Sequence, residues 1–376
     1  MGRTSSRPGP SRASLLIAAA ASVVAAVLLT VFLASSSSRQ EVGVQAGPPL
    51  PPPERPQPEP EGFGVPDAGR TPGAAPSSGK SAGAEDRERA ERLRGLIAKL
   101  GPLQKELGQP GPSDWLANHR EPGQTFEQYL ACGPTRPTGR RNTLHVEPLG
   151  EFTATQRRIV DLTAEFMGIY FNVPAKVGEG LSLDLVPAEA RRKHPSWGMD
   201  QVLSTYVLEN VLFPRLPKDA AAYIAFTSVD LWPGEDWNFV FGQASDDRVG
   251  VWSLYRFGDP DKSEEDFRLV LLRTLKLATH ETGHMFSAAH CTAWQCNMNG
   301  CNTQGESDRH PLALCPECMA KVCWAARAEP AARYRKLIEF CKREGLEPEV
   351  AMYEKLLGAV EGKALESSDG FVGSDR

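Results

Sequence analysis

The spacing of hydrophobic and polar residues predicts a central region in which strands alternate with helices. Apolar residues three or four positions apart indicate helices, and short runs rich in β-branched or aromatic residues indicate strands. Strands are predicted at 144–149, 181–186, 222–229, 238–244 and 249–257, and helices at 84–107, 155–170 and 199–213. This order predicts an α/β fold (α+β mixed sheet), in which helices flank one mixed sheet.

A longer amphipathic helix is predicted directly after these strands. Ser263, followed by three acidic residues, is typical of an N-cap with an acidic first turn. Leucines at helical spacing then continue to about Phe286. Two further apolar stripes, at 334–341 and 353–360, are typical of helices that pack against a core.

The N-terminal pattern differs from the rest of the chain. An uncharged apolar run, Leu15–Ala34, follows three arginines, and a helix of about twenty residues spans about 30 Å, enough to cross a bilayer. The sequence therefore predicts a signal anchor within 1–36, with the membrane as a partner and the main domain outside the cytosol. Cleavage of this segment as a signal peptide, followed by secretion, is the alternative.

Composition divides the remaining chain into four parts. Residues 37–83 are rich in Pro, Gly, Ser and Ala, which predicts an extended tether. A helical spacer is predicted at 84–112, a globular domain at 113–325 and a C-terminal helical extension at 326–376. The net charge of −5, a pI near 5.9 and the lack of a basic stripe argue against nucleic acid as the main partner.

Three of the seven histidines fall within eleven residues, as His280-Glu281-x-x-His284 followed by His290. Histidines four positions apart lie on one helix face, so two imidazoles can bind one metal ion. His290 supplies a third ligand, and Glu281 is placed to act on a metal-bound water. The pattern predicts a catalytic zinc, with Glu281 as the general base in peptide hydrolysis.

The cysteines cluster beside this motif, since six of the eight fall between Cys291 and Cys323. Cys291-x4-Cys296 and Cys315-x2-Cys318 supply two close pairs, the arrangement of a four-thiolate structural zinc. A large chain with a histidine motif alongside favours metal binding, and disulfide bonds in an oxidising compartment are the alternative. The sequence thus predicts two Zn²⁺ ions per chain, one catalytic and one structural.

These motifs resemble the archaemetzincins, a branch of the metzincin zinc peptidases whose signature combines HExxHxxGxxH, CxxxxCxM and a distant CxxC. The likeness is carried by 280–298 and 315–318, and less specific similarity extends over 113–324. The resemblance implies a metzincin-like domain, with Met298 beneath the catalytic zinc and the two cysteine pairs around a second zinc. It also implies that 238–242 form an edge strand to which an extended peptide adds.

One position departs from the family pattern, because Ser287 stands where the family has glycine. If the backbone there must be left-handed, serine costs about 1 kcal/mol relative to glycine. Either the turn keeps the family geometry at that cost, or His290 is displaced. The loop between Met298 and Cys315 is also one residue shorter than is usual in the family, a difference expected to have little effect on the two sites.

The motifs therefore predict a zinc metallopeptidase that acts on a peptide or protein substrate. Its activity is expected to be aminopeptidase-like or that of a limited endopeptidase. A catalytically weak zinc-binding domain, which recognises peptides or serves as an envelope scaffold, is the alternative. The intact Glu281 and the three histidines favour the enzyme.

Overall fold

A computed structural model describes residues 79–362, except 235–236 and 246. Its strands are β1 Thr143–Leu149, β2 Ala175–Val177, β3 Arg191–Lys193, β4 Asp200–Leu203, β5 Ala220–Thr227, β6 Asp230–Trp232, β7 Gly242–Ala244 and β8 Val249–Ser253. Its helices are α1 Gly79–Leu100, α2 Trp115–Asn118, α3 Phe126–Ala131, α4 Ala154–Tyr170, α5 Ser204–Tyr206, α6 Glu264–Met285, α7 Gln304–Arg309, α8 Pro316–Ala325, α9 Pro330–Arg343 and α10 Glu347–Glu361. A π-helical turn, Val207–Leu212, continues α5.

Five strands form the central sheet, in the order β2-β1-β5-β8-β7. Neighbours among the first four strands run parallel, whereas β7 runs antiparallel to β8 at one edge. A smaller sheet has the order β3-β4-β6, with one antiparallel and one parallel pair. The predicted α/β fold with a mixed sheet is confirmed.

Apolar side chains cover both faces of the central sheet. On β5, Ile224 and Phe226 belong to the larger core cluster, together with residues of α4 and α6. Tyr223 and Ala225 belong to a second cluster, which includes residues of the turn Val207–Leu212. This alternation follows from the two-residue period of a strand. The unbroken burial of β5 is typical of a parallel strand covered on both faces.

Helix α6 carries the histidine motif and begins where the sequence predicts. The Ser263 hydroxyl accepts a hydrogen bond from the backbone N–H of Asp266 at 3.0 Å, and the acidic first turn complements the helix dipole. The apolar side of α6 is buried in the larger core cluster. Its last turns therefore present His280 and His284 from a rigid element.

Two predicted elements differ in the structure. The predicted strand 181–186 is wrong: a 3₁₀ turn forms there, because the Ser182 hydroxyl accepts the backbone N–H of Asp184 at 3.1 Å and bends the chain. The predicted helix 199–213 is partly wrong, since β4 pairs with β6 before α5 begins. Apolar spacing in both segments fits strand and helix alike, and local capping and sheet pairing decide between them.

The predicted location at a membrane requires a correction. None of the helices that the structure describes is long and apolar enough to cross a bilayer, and this finding overturns the predicted membrane-anchored location. The two longest described helices, α1 and α6, carry charged residues throughout. The run Leu15–Ala34 and the predicted tether up to residue 78 lie outside the described residues.

Helices α1, α8, α9 and α10 contribute to the same core as the sheet. Leu93 of α1, Leu337 of α9 and Leu356 of α10 are all buried in the larger cluster. The indole N–H of Trp324 on α8 donates to the backbone carbonyl of Asp86 on α1 at 3.2 Å. These contacts fix α8, the helix at whose start one predicted cysteine pair lies.

Candidate metal centres

The structure brings the three motif histidines together near the C-terminal end of α6. His280 and His284 lie one turn apart, and their Nε2 atoms are 3.0 Å apart. His290 reaches the same point from the following loop, and one ligand atom from each histidine lies within 4.8 Å of the other two. All three side chains are partly exposed. Three neutral nitrogen donors with an open side match the ligand set of a catalytic zinc.

The Nδ1 nitrogens of His280 and His284, which face away from the cluster, already form hydrogen bonds. Nδ1 of His280 donates to the carbonyl of Asn297 at 2.8 Å, and Nδ1 of His284 donates to the carbonyl of Ala288 at 2.7 Å. Because a carbonyl only accepts, each Nδ1 carries the proton and each Nε2 holds a lone pair. Two lone pairs 3.0 Å apart repel one another unless a cation lies between them. Burial also lowers the pKa of both imidazoles, which favours the neutral form that binds metal.

Glu281 is the acidic residue of the motif and lies on α6 between the two histidines. Burial raises the pKa of its carboxyl to about 7, and the charge of nearby His290 acts in the opposite direction. A carboxyl group with a pKa near neutrality can both accept and return a proton at physiological pH. Glu281 therefore has the chemistry of a general acid–base group.

Ser287 adopts the left-handed conformation that a glycine would favour, with φ of 64°. The backbone N–H of Ala288 bonds to the carbonyl of Gly283 at 3.0 Å, as at the end of a helix that closes with a left-handed residue. The Ser287 hydroxyl accepts the backbone N–H of Thr135 at 3.0 Å, which offsets part of the backbone cost. Of the two possibilities raised by the sequence, the turn is therefore kept and His290 is not displaced.

Glu121 is a contact of the histidine cluster that no sequence pattern indicates. Nδ1 of His290 lies 2.9 Å from both oxygens of the Glu121 carboxylate. From the same loop, the Gln124 side chain donates to the carbonyl of Ser287 at 3.2 Å and accepts the N–H of Ala289 at 3.1 Å. Glu121 lies more than 160 positions before His290 in the sequence, so only the folded structure reveals this contact.

The four predicted cysteines form a second, closed cluster. Their sulfur atoms all lie within 4.8 Å of one another, and each side chain is at most 6% exposed. The backbone N–H groups of Met298 and Cys315 donate to the sulfur of Cys296 at 3.4 and 3.2 Å, which stabilises negative charge on that sulfur. All eight cysteines lie within the described residues and none forms a disulfide. Four convergent, buried sulfurs have the donor set of a structural zinc.

Met298 lies directly against the histidine-bearing part of α6. A Cβ atom added at Gly283 would lie 2.7 Å from the Met298 sulfur, so this contact requires glycine. The preceding residue, Asn297, accepts the hydrogen bond from His280 and donates to the carbonyl of Lys276 at 3.2 Å. Since Cys296 comes immediately before, three consecutive residues join the cysteine cluster to the histidine cluster.

A third group of potential ligands, Cys301, Glu306 and His310, also lies within 4.8 Å. The Glu306 carboxylate already accepts backbone N–H groups at 2.9 and 2.7 Å. Burial and the positive charges of Arg309 and Lys276 lower the pKa of His310 to about 4. Through these hydrogen bonds, Glu306 acts as a structural contact between α7 and the segment at α2.

The region that contains both clusters is similar to known proteins. Residues 221–323 match the family model described as Peptidase family M54. The chain is 30% identical over 266 residues to Archaemetzincin-2 of Homo sapiens, which covers 62% of this chain and 73% of that protein. It is 31% identical over 173 residues to the archaemetzincin of Thermococcus kodakarensis, which covers 42% of this chain and 85% of that protein.

A solved structure of archaemetzincin from Methanopyrus kandleri aligns with 51% of this chain and 99% of that chain, at 27% identity and a TM-score of 0.42. The resemblance drawn from the motifs is confirmed by the family model and by the extent of the Homo sapiens match. The prediction of a zinc-dependent hydrolase is confirmed on the same grounds. The chain belongs to the archaemetzincin family of zinc metallopeptidases.

Proposed function

We propose that His280, His284 and His290 hold a catalytic zinc with which this protein hydrolyses peptide bonds. One observation carries the proposal: each Nδ1 faces a hydrogen-bond acceptor, which leaves the opposite nitrogens of a compact cluster free to bind metal. Membership in a zinc metallopeptidase family supports zinc as the metal. A zinc ion bound there would lower the pKa of a water molecule to about 7 and polarise the substrate carbonyl.

Glu281 is proposed as the general base of the reaction. Its carboxylate would accept a proton as the water oxygen bonds to the carbonyl carbon of the scissile peptide. The same carboxyl would then give that proton to the amine nitrogen as the C–N bond breaks. A pKa raised by burial to about 7 suits both transfers, and α6 holds the carboxyl in register with the two histidines on the same helix.

We propose a second, structural zinc on Cys291, Cys296, Cys315 and Cys318. Support comes from their complete burial and from the N–H groups that donate to sulfur. A closed four-thiolate site leaves no open position for substrate, and its metal binding contributes to folding. The expected metal content is therefore two zinc ions per chain.

The substrate is proposed to bind as an extended peptide along the free edge of β7. The resemblance implies an edge strand at 238–242, whereas the regular strand of the structure is Gly242–Ala244, preceded by a single bridge from Val240 to Leu231. β7 pairs with β8 on one side and is the edge strand of the central sheet among the described strands. Addition of a peptide strand would give affinity through backbone hydrogen bonds. A substrate-analogue complex without contact to β7 would refute this mode.

Both proposed activities, aminopeptidase-like cleavage and limited endopeptidase cleavage, use the same site. A peptide library with free and blocked N-termini separates them, because an aminopeptidase requires the free amine. Cleavage of both kinds of peptide within the chain would favour the endopeptidase. Cleavage confined to the first residue of unblocked peptides would favour the aminopeptidase.

The test of the proposed function compares the wild type with Glu281→Gln and with Glu265→Gln, an exposed glutamate on the same helix. Glu281→Gln is expected to keep zinc while peptide cleavage falls by about 10²–10⁴-fold. Glu265→Gln should cleave like the wild type, and a chelator should stop cleavage in both. Undiminished turnover by Glu281→Gln would remove Glu281 as the base. A zinc-loaded wild type that cleaves no peptide would favour the alternative of a peptide-recognition or envelope-scaffold domain.

A further inference from the structure

We propose that Glu121 is a positioning residue for the catalytic metal, because it fixes the ring of His290. The inference rests on the proposed zinc site. Nδ1 of His290 lies 2.9 Å from each Glu121 oxygen, so one N–H is shared between two acceptors of the same carboxylate. A carboxylate bonded to the far nitrogen of a metal-binding histidine fixes its tautomer and makes the near nitrogen a stronger ligand.

His290 needs such a partner more than the other two histidines do. His280 and His284 are carried by a regular helix and donate to backbone carbonyls. His290 follows the left-handed turn at Ser287, outside any helix or strand. A ring on a loop keeps rotational freedom that binding must remove, and a preformed hydrogen bond lowers that entropy cost. The loop histidine is the one that pairs with a charged acceptor.

The loop that carries Glu121 is shaped to approach His290. Gly123 in this loop has φ of 70°, and an added Cβ there would overlap the hydroxyl of Thr292. This is one place where only glycine allows the backbone to come so close. Gln124 then bonds to backbone groups on both sides of Ala288, at Ser287 and Ala289. Glu121 is thus held beside His290 by contacts that do not involve the histidine ring.

The same loop is anchored to the helix that begins at the cysteine cluster. The Lys321 ammonium on α8 donates to the carbonyl of Gln124, and the backbone N–H of Phe126 donates to the Glu317 carboxylate at 2.5 Å. Glu317 lies between Cys315 and Cys318. The closed cysteine cluster therefore supports the carboxylate that orients the third histidine of the open cluster.

Because His290 and Glu121 are partly exposed, their pairing should affect metal binding more than folding stability. The His290 and Glu121 side chains are 18% and 27% exposed, and the Trp115 ring packs edge-on to His290 with centroids 5.3 Å apart. Water partly screens this pair, so its contribution to overall folding stability is small. Its contribution to metal binding is larger, because it acts on one metal ligand directly.

The test measures zinc affinity of the histidine site by chelator competition, with metal counted per chain. Glu121→Ala is expected to weaken this affinity by about 10–100-fold. Glu121→Gln, whose amide oxygen can still accept the Nδ1 proton but bears no charge, should lie between Glu121→Ala and the wild type. Glu127→Gln is the matched control, because Glu127 pairs with Arg94 on the surface and does not contact the cluster. His284→Ala identifies which of the bound zinc ions belongs to the histidine site.

A second readout separates orientation of the ring from support of the loop. In the zinc-loaded wild type, the Nδ1 proton of His290 should give a downfield NMR resonance that Glu121→Ala removes. Gln124→Ala, which loosens the loop without removing the carboxylate, should weaken the resonance less than Glu121→Ala does. Wild-type affinity in Glu121→Ala, with one zinc on the histidine site, would overturn the inference and leave the proposed function standing. Failure of the wild type itself to bind zinc at the histidines would instead overturn the proposed function.

Discussion

The histidine cluster and the cysteine cluster are neighbours in the sequence and opposites in their surroundings. The histidines are partly exposed and neutral, whereas the cysteine side chains are at most 6% exposed and lie among hydrogen-bond donors. A divalent ion on three neutral imidazoles keeps its positive charge for a water or carbonyl oxygen. Four thiolates more than neutralise the same ion and leave no open position. Ligand charge and access thus distinguish the proposed catalytic site from the proposed structural site.

The two clusters are joined at close range, even though their roles differ. Cys296 belongs to the closed cluster, Asn297 holds the ring of His280, and Met298 contacts Gly283 beneath the open cluster. A second connection runs from α8 through the loop of Glu121 to His290. The geometry of the histidine cluster therefore depends on the cysteine cluster, and substitutions near each cluster can test this dependence separately.

The largest effect is expected from Cys296→Ser. Removing one buried sulfur should weaken the proposed structural metal site, on which the local fold would depend, so unfolding free energy should fall by more than about 4 kcal/mol. Chemical denaturation with metal counting measures both losses. Cys132→Ser, at an exposed cysteine, is the control and should change stability by less than about 0.5 kcal/mol. Equal stability of the two variants would contradict a folding role for the cysteine cluster.

A smaller effect is expected from Gly283→Ala. The new methyl group would meet the Met298 sulfur at 2.7 Å, and such overpacking costs about 1–3 kcal/mol. Gly95→Ala in α1 is the control, because an added Cβ there meets nothing within 4 Å. It should stabilise by about 0.5–1 kcal/mol through helix propensity.

A double variant identifies the contact responsible. Combining Gly283→Ala with Met298→Ala should recover part of the loss attributed to the clash, as a non-additive term in thermal or chemical unfolding. Strict additivity of the two substitutions would show that Met298 does not limit the space at this helix position.

The smallest effect is expected at Ser287. Ser287→Gly relieves about 1 kcal/mol of left-handed backbone cost but loses the bond from the N–H of Thr135, worth about 1 kcal/mol. The net change in unfolding free energy should stay within about 1 kcal/mol. Ser287→Ala keeps the backbone cost and loses the bond, so it should be the less stable of the two. Because both variants lack the hydroxyl, the reverse order would show that the left-handed backbone at this turn carries no cost that glycine relieves.

Local patterns were sufficient to predict the parts of the molecule that depend on residues near one another in sequence. The 3.6-residue period and the Ser263 cap predicted α6, and the four-residue spacing of His280 and His284 predicted their common face. The cysteine spacing predicted the second cluster. All of these depend on covalent proximity or on helix geometry.

Contacts between distant segments could not be predicted in this way. Glu121 lies in an irregular loop without a motif, and its meeting with His290 depends on how α8 holds that loop. The predicted helix at 199–213 was partly wrong for a related reason, because the first residues of this segment pair with β6. Sheet pairing there outweighs an apolar spacing that also suits a helix. The pattern of residues along the chain contains no signal for either contact.

Selective metal removal tests the central contrast most directly. A chelator added to the zinc-loaded protein should remove one zinc quickly from the open histidine site, with peptide cleavage lost and the folded structure kept. The second zinc should leave only on unfolding, because its cysteine ligands are buried. Metal counting, cleavage and circular dichroism recorded on the same samples decide the outcome. Release of both ions at one rate, or unfolding on release of the first, would contradict the division between an open catalytic site and a closed structural site.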